Sequence, residues 1–272
     1  MGNIVKNKED SNYLCQLVLD IKDNGFDANK IIDILERLLP RDCNGNLLIG
    51  YKVIEKGMNT AIFLPRYEKI EISLNKINIW LERNADDLAP MFEIEDKELL
   101  KAYLLLMVLM HETEHSYQYL IGLGLVPAPS LIIRDAYHAL FDLLLPKDYI
   151  IPRPVKQVRR AISVVTYKMK ENEYLLERNA QFDSLSTLSN VAFYNGHNDI
   201  RNLLLNLKNA YAISGYLDNS DGPLVNTFKS IVMSDKLKKM NHDYSNLDMM
   251  DRYRLGLPVD DRTHERILAL RK

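Results

Sequence analysis

Two histidines and a glutamate in one apolar segment have the spacing of a metal-binding site. The chain contains the run His111-Glu112-Thr113-Glu114-His115, an H-E-x-x-H motif. Side chains four residues apart lie above one another on a helix, so His111 and His115 can bind the same ion. Imidazole nitrogens suit Zn²⁺, which they bind at about 2.0 to 2.1 Å. The spacing therefore predicts a zinc site on this segment.

Glu112 has the position of a general acid/base. The helical period rotates it by about 100° from His111, so we expect it beside an open coordination position rather than on the ion. Zinc lowers the pKa of a bound water toward about 7. A neighbouring carboxylate can accept the proton of that water as it attacks a carbonyl, and can then pass the proton to the leaving amine. The chemistry predicted from the motif is hydrolysis.

The residues around the motif favour a metal site over a chance occurrence of H-E-x-x-H. Between Leu99 and Met110 every residue except Lys101 and Tyr103 is aliphatic or methionine, which predicts a buried helix. Two histidines bound to other core groups are the alternative interpretation. It does not explain the carboxylates that share the helix, because charged groups are rarely buried without partners.

The motif and the segments before it resemble the zincin superfamily of metallopeptidases. Zincins place an H-E-x-x-H helix beneath a small sheet whose edge strand binds peptide by strand addition. The order of strands, helix and motif helix here is similar, over about residues 47–184. Metzincins have Gly three and His six residues after the second histidine, where this chain has Gln118 and Ile121. The metzincin branch is therefore excluded, and the resemblance to the gluzincin branch depends on a glutamate of a later helix.

A catalytic zinc generally has three protein ligands and a water. The resemblance implies a glutamate on a later helix as the third ligand, and Glu177 is the best match, with the small Ala180 one turn on. Known gluzincins have an aspartate four residues after that glutamate, supporting the first histidine. Gln181 stands there, and its amide oxygen could still accept the ring N–H. The other candidates for the third ligand are His138, Glu171 and Glu173.

Two other side chains, those of Tyr174 and His197, could take part in the chemistry. Tyr174 is one helical turn before Glu177, and its hydroxyl could stabilise the oxyanion formed on attack. It is our candidate for a second catalytic residue. His197 follows Asn195-Gly196, so we expect it in a turn at the surface.

The elements that must position these residues indicate an α+β fold, mostly helical, with a small β-sheet before the motif helix. Short β-prone runs predict two or three strands, at 47–49, 61–64 and 70–74. Apolar residues at helical spacing predict helices at 11–22, 28–39, 75–83, 97–121, 130–145, 155–193, 200–216, 224–240 and 260–270. We expect a zincin-like domain over 46–272, with an N-terminal helical hairpin at 1–45 that can belong to it.

The composition excludes several classes of protein. A chain of 272 residues, 47% hydrophobic and 26% charged, can bury a full core and is not a disordered linker or a fibre. Its net charge of −2 gives no basic field for a phosphate backbone, so nucleic acid is not an expected partner. Cys15 and Cys43 are too few for a disulfide scaffold or a sulfur-ligated metal site.

The sequence shows neither the pattern of a secretory signal nor that of a membrane-spanning helix. The first ten residues are polar and do not resemble a secretory signal. The apolar run from Leu99 to Met110 is shorter than the roughly 18 to 20 residues that cross a bilayer. We expect a cytoplasmic protein that does not associate with membranes.

Taken together, the sequence predicts a zinc-dependent metallopeptidase that hydrolyses peptide or protein substrates. His111, His115 and Glu177 are the expected Zn²⁺ ligands, and Glu112 and Tyr174 the expected catalytic residues. The alternative is a catalytically inactive zincin-like module in which the metal is structural or absent and the groove recognises a protein partner.

Overall fold

The described part of the chain has an α+β fold, mostly helical with one small sheet, as the sequence predicts. The computed structural model describes residues 8–128, 134, 137–138, 176–177 and 179–214. The predicted helices at 224–240 and 260–270, and most of those at 130–145 and 155–193, lie outside these residues.

Residues 134 and 137–138 are helical, and six further helices lie within the described residues. They are α1 (Lys8–Asn24), α2 (Ala28–Leu38), α3 (Leu74–Met91), α4 (Lys97–Gly122), α5 (described at 176–177 and 179–194) and α6 (Asn198–Ser214). A single 3-10 turn at Pro65–Tyr67 links two strands. None of the helices in the described ranges is long and apolar enough to cross a membrane.

The sheet has three strands in the order β1-β3-β2. The strands are β1 (Gly50–Ile54), β2 (Ala61–Leu64) and β3 (Lys69–Ser73). β3 lies in the centre, parallel to β1 and antiparallel to β2. β2 is therefore an edge strand.

The runs at 61–64 and 70–74 form β2 and β3 as predicted, but the prediction of a strand at 47–49 is wrong. Leu47 makes an isolated bridge to Arg41, and the strand begins only at Gly50. The Asp42 carboxylate accepts the backbone N–H groups of Asn44 and Asn46, which closes a tight turn before the apolar run. Ile49 then goes fully into the core instead of into a strand.

α4 is the central helix of the core. Between Leu99 and Gly122 nearly every residue is buried, and the exceptions are Lys101, Val108, His111 and Glu112. The apolar run from Leu99 to Met110 must be covered on all sides, and α1, α2, α3, β2 and β3 all pack on α4. Its N-cap is Asp96, whose side chain accepts the Leu99 N–H.

α3 is longer than the predicted helix at 75–83. It continues to Met91 because a second set of residues at helical spacing is buried, namely Asn84, Ala85, Leu88 and Ala89. The predicted helix ends earlier because the residues from Asn84 through Pro90 are interpreted from the sequence as a polar loop. Pro90 lies in the last turn, and the helix ends one residue later, at Met91.

Candidate metal centre

The two motif histidines face one point beside α4. Their ring centroids are 4.6 Å apart with the planes nearly perpendicular, at 89°. Their Nε2 atoms lie 3.0 Å from each other. This geometry follows from the i, i+4 spacing on a helix, which stacks the two side chains on one face.

Glu177 reaches the same point from α5. Its Oε2 lies 3.0 Å from His111 Nε2, and its Oε1 lies 3.3 Å from His115 Nε2. Ala180, one turn later, is fully buried. Two ligand atoms bound to a tetrahedral zinc at about 2.0 to 2.1 Å are roughly 3.3 Å apart, so these separations fit one ion. Among the described residues, these three form the group of side chains with metal-ligand geometry.

The charges in this cluster balance one another. Burial opposes ionisation of Glu177, but the two imidazoles beside it hold the pKa of its carboxyl well below the usual range. Burial also disfavours a charged His115, yet the Glu177 carboxylate outweighs it and raises the pKa of this imidazole to about 9. Two imidazole nitrogens and one carboxylate oxygen are donor atoms that could hold a divalent metal ion.

Glu112 lies next to the edge of the sheet rather than in the ligand cluster. Its Oε2 accepts the backbone N–H of Phe63 on β2, at 2.6 Å. Ser73 donates its N–H to the Thr60 carbonyl. Because pairs alternate along an antiparallel ladder, Ile62 then bonds to β3, and the backbone groups of Ala61 and Phe63 point outward. Glu112 therefore lies against the outward face of the edge strand.

Aromatic contacts hold the edge strand against α4. The rings of Phe63 and Tyr119 are 5.7 Å apart between centroids and tilted by 58°. The Tyr119 hydroxyl donates to Glu68 Oε1 at 3.1 Å, just before β3. Because Tyr119 lies two turns after Glu112 on the same helix face, these contacts fix the position of β2 relative to the motif.

Gln118 forms a hydrogen bond with the second motif histidine, His115. This role of Gln118 was not predicted from the sequence. Its Oε1 lies 3.0 Å from His115 Nδ1, and its amide nitrogen donates to the Leu176 carbonyl at 3.0 Å. The signal was present, because a glutamine three residues after a histidine faces it on a helix. The Gln181 amide oxygen was expected to accept the ring N–H of His111, but the structure does not have this hydrogen bond. His111 Nδ1 is buried and has no hydrogen-bond partner within the described residues.

The rival ligand His138 does not join the cluster. Its Nδ1 donates to the Gly122 carbonyl at 3.1 Å. A Cβ on Gly122 would come within 3.0 Å of Tyr137 C and of His138 N, so glycine permits this close packing at the end of α4. Tyr174, Glu171 and Glu173 lie outside the described residues.

His197 is half-buried rather than at the surface. Its Nδ1 lies 3.0 Å from the hydroxyl of Tyr103, and Tyr103 is fully buried in α4. Burial lowers the pKa of His197. Its contact is with the N-terminal half of α4, so it belongs to the packing of the core and not to the ligand cluster.

Comparison of the chain with protein-family models, with curated proteins and with solved structures finds no match.

Proposed function

We propose that this protein is a zinc-dependent metallopeptidase of the gluzincin type. One observation carries the proposal. Two imidazoles from α4 and one carboxylate from α5 converge with the mutual distances of zinc ligands, 3.0, 3.0 and 3.3 Å. The donors are nitrogen and oxygen atoms from three residues, which leaves a fourth position for water, as in catalytic rather than structural zinc sites.

His111, His115 and Glu177 would hold the ion, and Glu112 would carry the proton transfers. Bound Zn²⁺ supplies a water whose pKa is lowered toward about 7. Glu112 has one carboxylate oxygen held by the Phe63 N–H. Its other oxygen can accept a proton from the attacking water and deliver it to the leaving amine of the substrate. The hydrogen bond from the strand orients the carboxylate for this transfer.

The position of β2 supports a peptide as the substrate. The N–H and C=O of Ala61 and the C=O of Phe63 point outward from the edge strand. An extended peptide can add to such an edge by backbone hydrogen bonds. Because Glu112 bonds to this same edge, a peptide that adds there lies beside the general acid/base. Peptide or protein substrates fit this arrangement.

Metal analysis with one substitution tests the proposal. We expect about one zinc per chain in protein purified without chelator, both in the wild type and in Glu112→Gln. We expect Glu112→Gln to cleave a peptide library about 10² to 10⁴ times more slowly, the usual contribution of acid/base catalysis. The matched control is Glu98→Gln, an exposed glutamate of the same helix, which should cleave at the wild-type rate.

Three outcomes would contradict parts of the proposal. Wild-type protein without metal excludes the zinc site. Equal cleavage by Glu112→Gln and the wild type excludes the acid/base role. Wild-type protein that contains zinc but cleaves nothing favours the alternative function, a binding module with a structural metal.

A further inference from the structure

Gln118 connects the two helices that carry the metal ligands. It is only 1% exposed and lies on α4, three residues after His115. Both ends of its side chain are bonded, with Oε1 3.0 Å from His115 Nδ1 and Nε2 3.0 Å from the Leu176 oxygen. Leu176 comes directly before Glu177 on α5. One side chain therefore contacts both a ligand histidine and the backbone next to the third ligand.

The chemistry of these groups determines the direction of every hydrogen bond. A backbone carbonyl can only accept, so the amide NH₂ of Gln118 must face Leu176. A flipped amide would place two oxygens against each other. The amide oxygen therefore faces His115, and the Nδ1 of His115 must be the donor. The proton on Nδ1 leaves the lone pair of a neutral imidazole on Nε2, the atom that faces the ligand cluster.

His111 has no comparable support. Its Nδ1 is buried without a hydrogen-bond partner among the residues that the structure describes. Within the described residues no hydrogen bond to Nδ1 sets the tautomer of His111, whereas the tautomer of His115 is set by a hydrogen bond to Gln118. The two histidines are therefore not equivalent as ligands.

We propose that Gln118 is a positioning residue that keeps His115 in its metal-binding tautomer. The inference rests on the zinc site of the proposed function but not on peptide hydrolysis. It predicts that zinc affinity depends on the acceptor at position 118. Groups that support a metal-bound histidine contribute about 10- to 100-fold to metal affinity.

Three substitutions separate this role from a purely structural one. Gln118→Met keeps the length of the side chain but removes both hydrogen bonds. Gln118→Glu keeps an oxygen that accepts the His115 N–H, whether its carboxyl is ionised or protonated. The matched control is Gln181→Met, which alters a second buried glutamine, on α5, that does not bond to either histidine nitrogen. The zinc dissociation constant is measured by competition with a chromophoric chelator, and thermal unfolding of the metal-free proteins is followed by circular dichroism.

We expect the zinc dissociation constant to rise about 10- to 100-fold in Gln118→Met and to stay at the wild-type value in Gln181→Met. We expect Gln118→Glu to restore zinc affinity even if its metal-free form unfolds at a lower temperature. Equal zinc affinity of Gln118→Met and Gln181→Met would overturn the inference. A loss in Gln118→Glu as large as in Gln118→Met would also overturn it, because the effect would then come from α5 docking alone.

The same measurements distinguish this inference from the proposed function. A wild-type chain that binds no zinc overturns the metal site and the role of Gln118 together. A chain that binds zinc, shows the expected order of affinities and cleaves no peptide leaves the role of Gln118 intact and overturns the hydrolase.

Discussion

Replacing Glu177 by glutamine should remove the stabilisation that zinc gives to the folded protein. The carboxylate is the only anionic group among the three side chains of the cluster, at 3.0 Å from His111 Nε2 and 3.3 Å from His115 Nε2. A neutral amide is a poor zinc ligand, so the variant keeps two imidazole donors without a charge to balance the ion. The substitution is nearly isosteric and leaves the packing of α5 in place.

The size of the lost effect follows from linkage between binding and folding. At a zinc concentration 100 times the dissociation constant, an ion that binds the native state alone stabilises it by about 2.7 kcal/mol. For a chain of roughly this size, each kcal/mol corresponds to about 2 to 4 °C in the melting temperature. Wild-type protein should therefore melt about 5 to 11 °C higher with zinc than without it. Glu177→Gln should show almost none of this shift.

Thermal unfolding followed by far-UV circular dichroism measures the shift. Each protein is first stripped of metal and then scanned with and without zinc. His138→Ala is the matched control, because its Nδ1 bonds to the Gly122 carbonyl and the side chain lies outside the cluster. It should keep the full zinc shift. A full shift in Glu177→Gln, or a lost shift in His138→Ala, would refute the assignment of the third ligand.

Two further predictions concern the packing around α4. Gly122→Ala should destabilise the protein by about 1 to 3 kcal/mol, because the new Cβ meets backbone atoms of Tyr137 and His138 at 3.0 Å. Urea unfolding measures this, and a loss below about 0.5 kcal/mol would contradict the close packing. Burial lowers the pKa of His197 in the folded state, so the folded protein favours the neutral ring that bonds to Tyr103. The resulting stability is complete above about pH 6.5 and is lost as the pH falls through the lowered pKa. We therefore expect the free energy of unfolding to drop between pH 7.5 and pH 5.5, a range of about two pH units around the unfolded pKa. The drop should be larger in the wild type than in His197→Gln. Equal drops in the two proteins would contradict the prediction.

The parts of the fold that could be predicted from the sequence depend on local interactions. The motif helix was expected at 97–121 and is observed at Lys97–Gly122, because an N-cap at Asp96 and an unbroken apolar run define it. The strands at 61–64 and 70–74 were also predicted, since short β-prone runs bounded by turns are a local signal.

The elements that were missed depend on contacts between distant segments. β1 begins at Gly50 because it pairs in parallel with β3, and this pairing does not appear in the pattern of the segment itself. α3 extends to Met91 because the core accepts its second half. The hydrogen bond from Gln118 to Leu176 could not be predicted, because the two residues are 58 positions apart in the chain. Sequence periodicity indicates which face of an element is apolar, but not what covers it.

The sequence alone determined that His111 and His115 share one helix face and that Glu112 is rotated away from them, because helix geometry sets the direction of neighbouring side chains. It left four candidates for the third ligand. The tertiary structure brings Glu177 to the two imidazoles and His138 to the end of α4. Glu177 is 66 residues from His111 in the chain, so only the packing of α5 on α4 decides which side chain reaches the histidine nitrogens, at 3.0 Å from His111 Nε2 and 3.3 Å from His115 Nε2.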